Sequence, residues 1–259
     1  MDIIHALHKK QYETTDFDRQ VKRIDEGLDN IEEYFVDKYC SPILTTLEIG
    51  TGAGRIAFAL EKKLFKNIVA IDFVDRFIAV AKQKALAVDS NIKYYSGDAL
   101  NLPFEDESFD QVLSIGVVIS HLPRRKDRIK SLLEIYRVIK PNGIMLINAL
   151  NITSNIWRRG LKYFMKIIRL FSNSFQYEDN SLPRLGIGGK IDFLFFLKKD
   201  KPCIHYYYPV ELVIDILSAG FYIIEILSDL NEITKSKSPH IICLTGDNIY
   251  IAARKPKYE

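Results

Sequence analysis

Cysteine is scarce in this chain, which has only Cys40, Cys203 and Cys243. An odd number without metal-ligand spacing argues against both a disulfide framework and a thiolate metal site. It predicts reduced thiols in a cytoplasmic setting. Charge of one sign is lacking too: a formal net charge of +3 over 259 residues does not argue for nucleic acid. No run approaches the ~20 apolar residues of a membrane-spanning helix, and Met1 to Lys10 has no secretory apolar core. Internal repeats and low-complexity segments are absent. What remains is an ordinary globular composition, 47% apolar and 27% charged. The length suits one large domain, or one domain carrying an insertion.

The most informative stretch is Thr46-Leu47-Glu48-Ile49-Gly50-Thr51-Gly52-Ala53-Gly54-Arg55. An apolar run breaks into alternating glycines, and a helical pattern of Ile56, Phe58, Ala59, Leu60 and Leu64 follows. This spacing predicts a buried strand, a tight turn and a helix. Glycine lets a backbone take positive φ and press against a ligand. The opened helix presents unpaired N–H groups and a positive dipole end.

Upstream, Phe17, Val21, Ile24, Leu28, Ile31 and Phe35 step by four and three, predicting one amphipathic helix over residues 15–38, capped by Thr14 or Thr15. Downstream, Ile68 to Ile71 reads as a second strand ending in Asp72, with a helix over 75–87. Asn91 to Tyr95 reads as a third strand followed by Gly97-Asp98-Ala99, and Phe109 to Ile115 as a fourth. Pro123 to Lys140 suits a helix stopped by Pro141-Asn142-Gly143, and Ile144 to Leu150 a fifth strand. Alternating strands and helices predict a parallel sheet covered on both faces by right-handed crossovers. Such sheets bind ligands beyond their carboxyl edge. Gly50, Asp72, Asp98 and Ile115 all fall at predicted strand ends and so converge on that edge.

Residues 151–206 interrupt the alternation. A helix is expected from Ile156 to Phe171, with Arg158, Lys162, Lys166 and Arg169 on one side. A loop with Pro183 and three glycines follows, then an aromatic run from Ile191 to Leu197. So long an interruption reads as an inserted lid or binding subdomain. Order resumes with a helix from Pro209 to Ala219, stopped by Gly220. Phe221 to Leu227 and Ile249 to Ala253 then read as an antiparallel pair closing the sheet. The division predicted is a helical cap over 1–40, a core over 41–150, the lid over 151–206, and completion of the core sheet over 207–259.

The glycine spacing separates two nucleotide readings. A dinucleotide fingerprint needs G-x-G-x-x-G. Here the third position is Arg55, too bulky for the close helix–strand approach, and the third glycine is Gly54. The chain instead resembles the class I S-adenosylmethionine-dependent methyltransferases. The resemblance rests on Leu47 to Gly54, Val69-Ala70-Ile71-Asp72, Gly97-Asp98-Ala99-Leu100-Asn101-Leu102-Pro103-Phe104, Phe109-Asp110-Gln111-Val112 and Arg137 to Gly143. The last three stretches resemble the type 11, small-molecule branch that includes quinone and sterol methyltransferases. The fold implied is a Rossmann-like, seven-stranded, mostly parallel α/β sheet with an antiparallel edge strand, helices on both faces and an inserted lid.

The resemblance implies S-adenosyl-L-methionine as cofactor. It implies contacts from Glu48, Gly50, Thr51, Gly52, Gly54, Asp72, Phe73, Asp98, Ala99 and Ile115. Gly50, Gly52 and Gly54 admit the methionine part. Asp72 matches the ribose diol, with a helix cap as its plain alternative. Phe73 packs on adenine. Asp98 accepts from the adenine amino group and the Ala99 N–H donates to the ring, the plain alternative for Asp98 being a turn residue. Glu48 either holds the loop or meets the cofactor ammonium through water. Arg55 reads as a solvated arginine ahead of a partner for the cofactor carboxylate. Asp110 reads as architectural, and Ser114 to Gly116 as the pocket floor. By analogy alone, Tyr12 and Asp16 fold over the cofactor.

Methyl transfer is an in-line displacement whose leaving group needs no proton, so alignment and a base for the acceptor carry it. His121 and His205 are the candidate catalytic bases. The fourth strand is followed by Ser114-Ile115-Gly116-Val117 rather than an Asn/Asp-Pro-Pro-aromatic turn. That argues against methylation of nucleic-acid amino groups. The aromatic insertion suits an apolar, planar or lipid-like acceptor. Its basic side reads as solvated, with peripheral contact to an anionic membrane as the alternative. A cofactor-binding sensor or partner subunit without turnover, and an RNA or protein methyltransferase, stand as the other readings. No metal site is expected.

Overall fold

The computed structural model describes residues 9–10, 12–13, 17–122, 124–154, 181–183, 203–229 and 246–257. The expected caps Thr14 and Thr15, Asp16, the helix over 156–171 and the aromatic run over 191–197 lie outside them.

The expected single helix over 15–38 is broken in two. Helix α1 spans Phe17–Lys22 and runs into a 3-10 turn, Arg23–Asp25; helix α2 spans Asn30–Tyr39. The break sits at Gly27, whose φ is +76°. Asp29 restarts the helix with a capping box: its carboxylate accepts from Ile31 N and Glu32 N, and the Glu32 side chain accepts from Asp29 N. The apolar stripe was continuous in sequence, but this local capping chemistry outweighed it.

The core follows the predicted alternation. Strand β1 is Thr45–Ile49, helix α3 Arg55–Lys62, β2 Asn67–Asp72, helix α4 Asp75–Ala87, β3 Lys93–Ser96 and β4 Phe109–Ser114. A 3-10 turn, Val118–His121, leads to helix α5, Arg125–Val138, and strand β5, Ile139–Leu150. Helix α5 stops two residues before the expected Lys140, and Asn142 turns through φ +67° inside the start of β5. After β6 (Ser181–Pro183) and β7 (Cys203–His205) come helix α6, Pro209–Ser218, β8, Tyr222–Leu227, and β9, Asn248–Arg254. Residues 181–183, expected in a loop, pair antiparallel with β7.

The main sheet has seven strands in the order β3-β2-β1-β4-β5-β9-β8. Pairings from β3 through β5 are all parallel. Strand β9 is antiparallel to both β5 and β8. The reversed strand therefore lies one in from the edge, and β8 outside it runs with the parallel set.

Strand alternation assigns each residue to a face. Leu47, Ile49, Ile71 and Val112 pack with Leu132 and Ile135 of α5 and Leu212 and Ile216 of α6. Ala70, Leu113 and Ile115 pack on the other face with Phe35, Ile56, Leu60 and Ile78 of α2, α3 and α4. Glu48 alternates with Leu47 and Ile49 and so faces the second layer, where it is 1% exposed.

The amino-terminal segment crosses α4 as a strap. Lys9 Nζ lies 2.6 Å from Asp75 Oδ2, and Arg76 donates to Glu13 O at 2.8 Å. The Phe17 ring stacks on Phe77 at 5.4 Å, with the Arg76 guanidinium 3.5 Å from the Phe17 centroid. The strap then passes above the tips of β1 and β2. Among the described residues no helix is long and apolar enough to cross a membrane.

Candidate functional site

Two joined hollows open at the carboxyl edge of the parallel strands. They share Gly50, Asp72, Phe73, Val118 and His121. The inner one, with about 490 Å³ of open space, is mainly apolar and is bounded by Ile49, Ile71, Gly97, Asp98, Ala99 and Leu122 as well. The outer one, with about 1260 Å³, lies between the glycine loop, residues 116–118 and the strap, which contributes Tyr12, Arg19, Gln20 and Arg23.

The three glycines serve three different purposes. A Cβ on Gly50 would sit 2.2 Å from Val118 Cγ2, so the loops after β1 and β4 close only on a bare backbone. Gly54 has φ +101°, and a Cβ there would meet Tyr94 Oη at 2.8 Å and Phe58 at 2.9 Å. Gly52, with φ +56°, meets nothing within 4 Å and faces the open cleft. Gly52 thus leaves its backbone open to the cleft. Gly54 does not line either hollow.

Asp72 ends β2 and lines both hollows. Its Oδ2 accepts from Gly52 N at 2.8 Å and its Oδ1 from Val74 N at 2.9 Å. The carboxyl thus ties the glycine loop to the start of α4. Burial pushes it up to about 6, against the pull of those amides. Asp98 accepts from Leu100 N at 2.9 Å while lining the inner hollow beside Ala99. Phe73 packs edge-on to Tyr12, with centroids 6.5 Å apart.

Several expected residues fall elsewhere. Glu48 lies behind the loop, where its Oε2 accepts from Thr51 Oγ1 at 2.8 Å. Burial pushes its carboxyl up to about 7. Thr51 lines the outer hollow through the loop it helps to hold. Ile115 faces the opposite layer, and Gly116 to Val118 form the floor in its place. Val117 takes φ +53°, a strained value for a β-branched residue, and its N–H donates to Asn148 Oδ1 at 2.7 Å. Arg55 lines the outer hollow, but its guanidinium is committed to the neighbouring helix rather than to solvent. It forms a bidentate pair with Glu32, both distances 2.7 Å, and donates to Gly27 O at 2.6 Å. Asp110 is architectural as expected, bound by Thr45 and by Lys140 at 2.8 Å.

The two histidines separate. His121 lines both hollows, and its Nε2 is 2.7 Å from Tyr12 Oη. His205, 1% exposed, lies off the cleft in a buried ionic cluster. Its Nε2 is 2.7 Å from Glu211 Oε1, Glu211 lies 3.3 Å from the fully buried Arg128, and Arg125 reaches Asp215 at 2.8 Å. That cluster ties α5 to α6. Arg19, Gln20 and Arg23 were missed as site residues. They occupy the polar side of the Phe17–Val21–Ile24 stripe, and sequence does not say whether that side meets water or a cleft.

The arrangement fits a zwitterionic adenosyl cofactor. An apolar hollow with carboxylates at two strand ends suits an adenosine, and the glycine loop leaves room for an extended chain beyond it. The profile of the methyltransferase domain family matches residues 47–147. Among curated proteins, a demethylmenaquinone methyltransferase of Lactiplantibacillus plantarum is 32% identical over 141 residues, covering 51% of this chain and 56% of that one. One from Staphylococcus aureus is 35% identical over 105 residues, covering 40% and 42%. The chain thus spans about half the length of these relatives. A solved S-adenosylmethionine-dependent methyltransferase from Methanosarcina mazei superimposes with TM-score 0.65 over 90% of this chain and 100% of its own, at 20% identity. That likeness speaks for the fold. Residues 47–147, which build the cleft at its strand tips, thus carry a methyltransferase domain.

Proposed function

We propose that the chain binds S-adenosylmethionine in this cleft and transfers its methyl group to a small, apolar or lipid-like acceptor. The observation that supports the reading best is the placement around one hollow of Asp72, at the end of β2, and Asp98, two residues past the end of the adjacent β3. Asp72 receives the ribose hydroxyls, Phe73 and the apolar wall pack the adenine, and Asp98 with Ala99 reads its edge. The donor supplies a methyl on a sulfonium and leaves as the neutral thioether S-adenosylhomocysteine. The acceptor's proton, where it carries one, goes to His121, the histidine at the cleft. Tyr12 holds that ring through the 2.7 Å contact. The segment over 151–206 selects the acceptor.

Demethylmenaquinone, named in the curated relatives, is the first acceptor to test. Calorimetry with S-adenosylhomocysteine and transfer of labelled methyl to reduced demethylmenaquinone test the two halves separately. His121→Asn is expected to lower kcat by about 10²-fold, the low end for a general base, with S-adenosylhomocysteine affinity kept. Binding without turnover on any small-molecule panel would favour the sensor reading instead.

A further inference from the structure

Strand β5 is apolar from Ile144 to Leu150 except at one position, Asn148. That side chain is 2% exposed, and a buried amide is costly unless its polar atoms are bound. Its Oδ1 accepts from Val117 N at 2.7 Å, in the loop that follows β4. Val117 is the entry to the 3-10 turn Val118–His121 and stands at φ +53° and ψ +27°, in the left-handed region. A β-branched residue persists there only where its surroundings over-determine it. The next four residues show what the strain achieves. Val117 O accepts from Ser120 N at 3.0 Å, the turn closes, and His121 reaches the cleft, 2.7 Å from Tyr12 Oη. The far side of the turn is tied to the same strand, because Leu150 N donates to Ser120 Oγ at 3.0 Å. Asn148 and Leu150 of β5 thus hold the turn at its two ends. The strand is backed in turn, since Asn148 pairs across the ladder with Tyr250, whose hydroxyl donates to Asp29 Oδ2 at 3.1 Å.

We propose that Asn148 is a positioning residue for His121: by accepting from Val117 N it holds the strained entry that turns the histidine into the cleft. The inference rests on the reading of His121 as the base for the acceptor's proton. Asn148 lines neither of the two hollows, so it acts through Val117 and not on a bound ligand. The Ser120 contact does not replace it. That contact fixes where the turn ends, not the backbone angle at which it begins.

The test removes the acceptor oxygen and then the strain that it opposes. Asn148→Leu is close in volume and has no polar atom. In the wild-type chain, NMR should show a nuclear Overhauser contact between the Tyr12 and His121 rings, whose centroids are 5.3 Å apart, and a Val117 amide protected from exchange. In Asn148→Leu the ring contact is expected to disappear and Val117 N–H exchange to quicken by about tenfold, the loss of one hydrogen bond. Asn148→Asp returns an acceptor oxygen and should restore both. Adding Val117→Gly to Asn148→Leu should restore the ring contact without the amide protection, because glycine takes positive φ unaided. With reduced demethylmenaquinone as acceptor, kcat should fall about tenfold in Asn148→Leu while KM for S-adenosylmethionine stays within about threefold, and kcat should recover in part in the double variant. An intact ring contact in Asn148→Leu overturns the inference. So does a loss that neither Asn148→Asp nor Val117→Gly reverses, which would mark general damage to the strand. The NMR comparison needs no acceptor and decides the inference by itself. Unchanged kcat in His121→Asn would instead overturn the reading of that histidine as the base.

Discussion

Asp72 does two jobs with one carboxyl. It accepts from Gly52 N and Val74 N, and it faces the cleft. Its ionised form is the better acceptor for ribose hydroxyls, and in the free protein it titrates at about 6. S-adenosylhomocysteine affinity should therefore be level above neutral pH and weaken below about 6. The limit is roughly tenfold per pH unit for one linked proton. Asp72→Asn should bind weakly at every pH and lose the slope. Asp72→Ala should cost at least tenfold at pH 8, ~1.4 kcal/mol or more. Calorimetry across pH 5 to 8 checks all three. The residue identities at this site were legible because each sits in a spaced motif at a strand end. Glu48 and Ile115 were legible as motif members but not as positions: strand alternation turns both toward the opposite helix layer.

At the scale of elements, the amino-terminal region was half legible. The apolar stripe predicted a helix packed on the domain, and α1 and α2 do pack there. The break at Gly27 and the Asp29 capping box divide what periodicity joins. The joint is fixed by a long-range ion pair that no local pattern announces, Arg55 of α3 with Glu32 of α2. Glu32 is 3% exposed, so removing its partner strands a buried charge. Arg55→Ala is therefore expected to cost about 3 kcal/mol in urea unfolding. A double variant, Arg55→Met with Glu32→Met, should recover a good part of that loss, because no charge is then left unpaired. If the double variant is as unstable as the single one, the lost hydrogen bonds, including that to Gly27 O, and not a stranded charge, account for the loss. The fates of the two histidines were equally hidden from sequence. His205 ends β7 while His121 follows β4, and of the two only His121, on the 3-10 turn Val118–His121, lines the cleft.

For the molecule as a whole, the parallel half of the sheet was readable from alternation, and the closing antiparallel pair from two apolar runs, Phe221 to Leu227 and Ile249 to Ala253, with no long helical pattern in the sequence between them. Sequence could not show how much buried acid this architecture concentrates under the glycine loop. Glu48, one residue before the end of β1, and Asp72, which ends the adjacent β2, are both raised by burial, to about 7 and about 6. A carboxyl raised on folding binds its proton more tightly in the native state. Stability then falls as pH rises from the unfolded value through the folded one, and levels off above it. For these two groups the window runs from pH 4 to 7, each contributing on the order of 3 kcal/mol across it. Glu134, held low by Arg137, and Asp110, where Lys140 and Thr45 outweigh burial, act in the opposite sense at more acidic pH. The ligand-free chain should thus be most stable near pH 5, below neutrality. Bound cofactor favours ionised Asp72 and should move that optimum upward. Glu48→Gln keeps the shape and can still accept from Thr51 while removing the titration. It is expected to raise unfolding free energy at pH 8, leave it nearly unchanged at pH 5, and flatten the profile between. Urea titrations of both chains at the two pH values decide it: parallel profiles would mean that the slope arises from carboxyls other than Glu48.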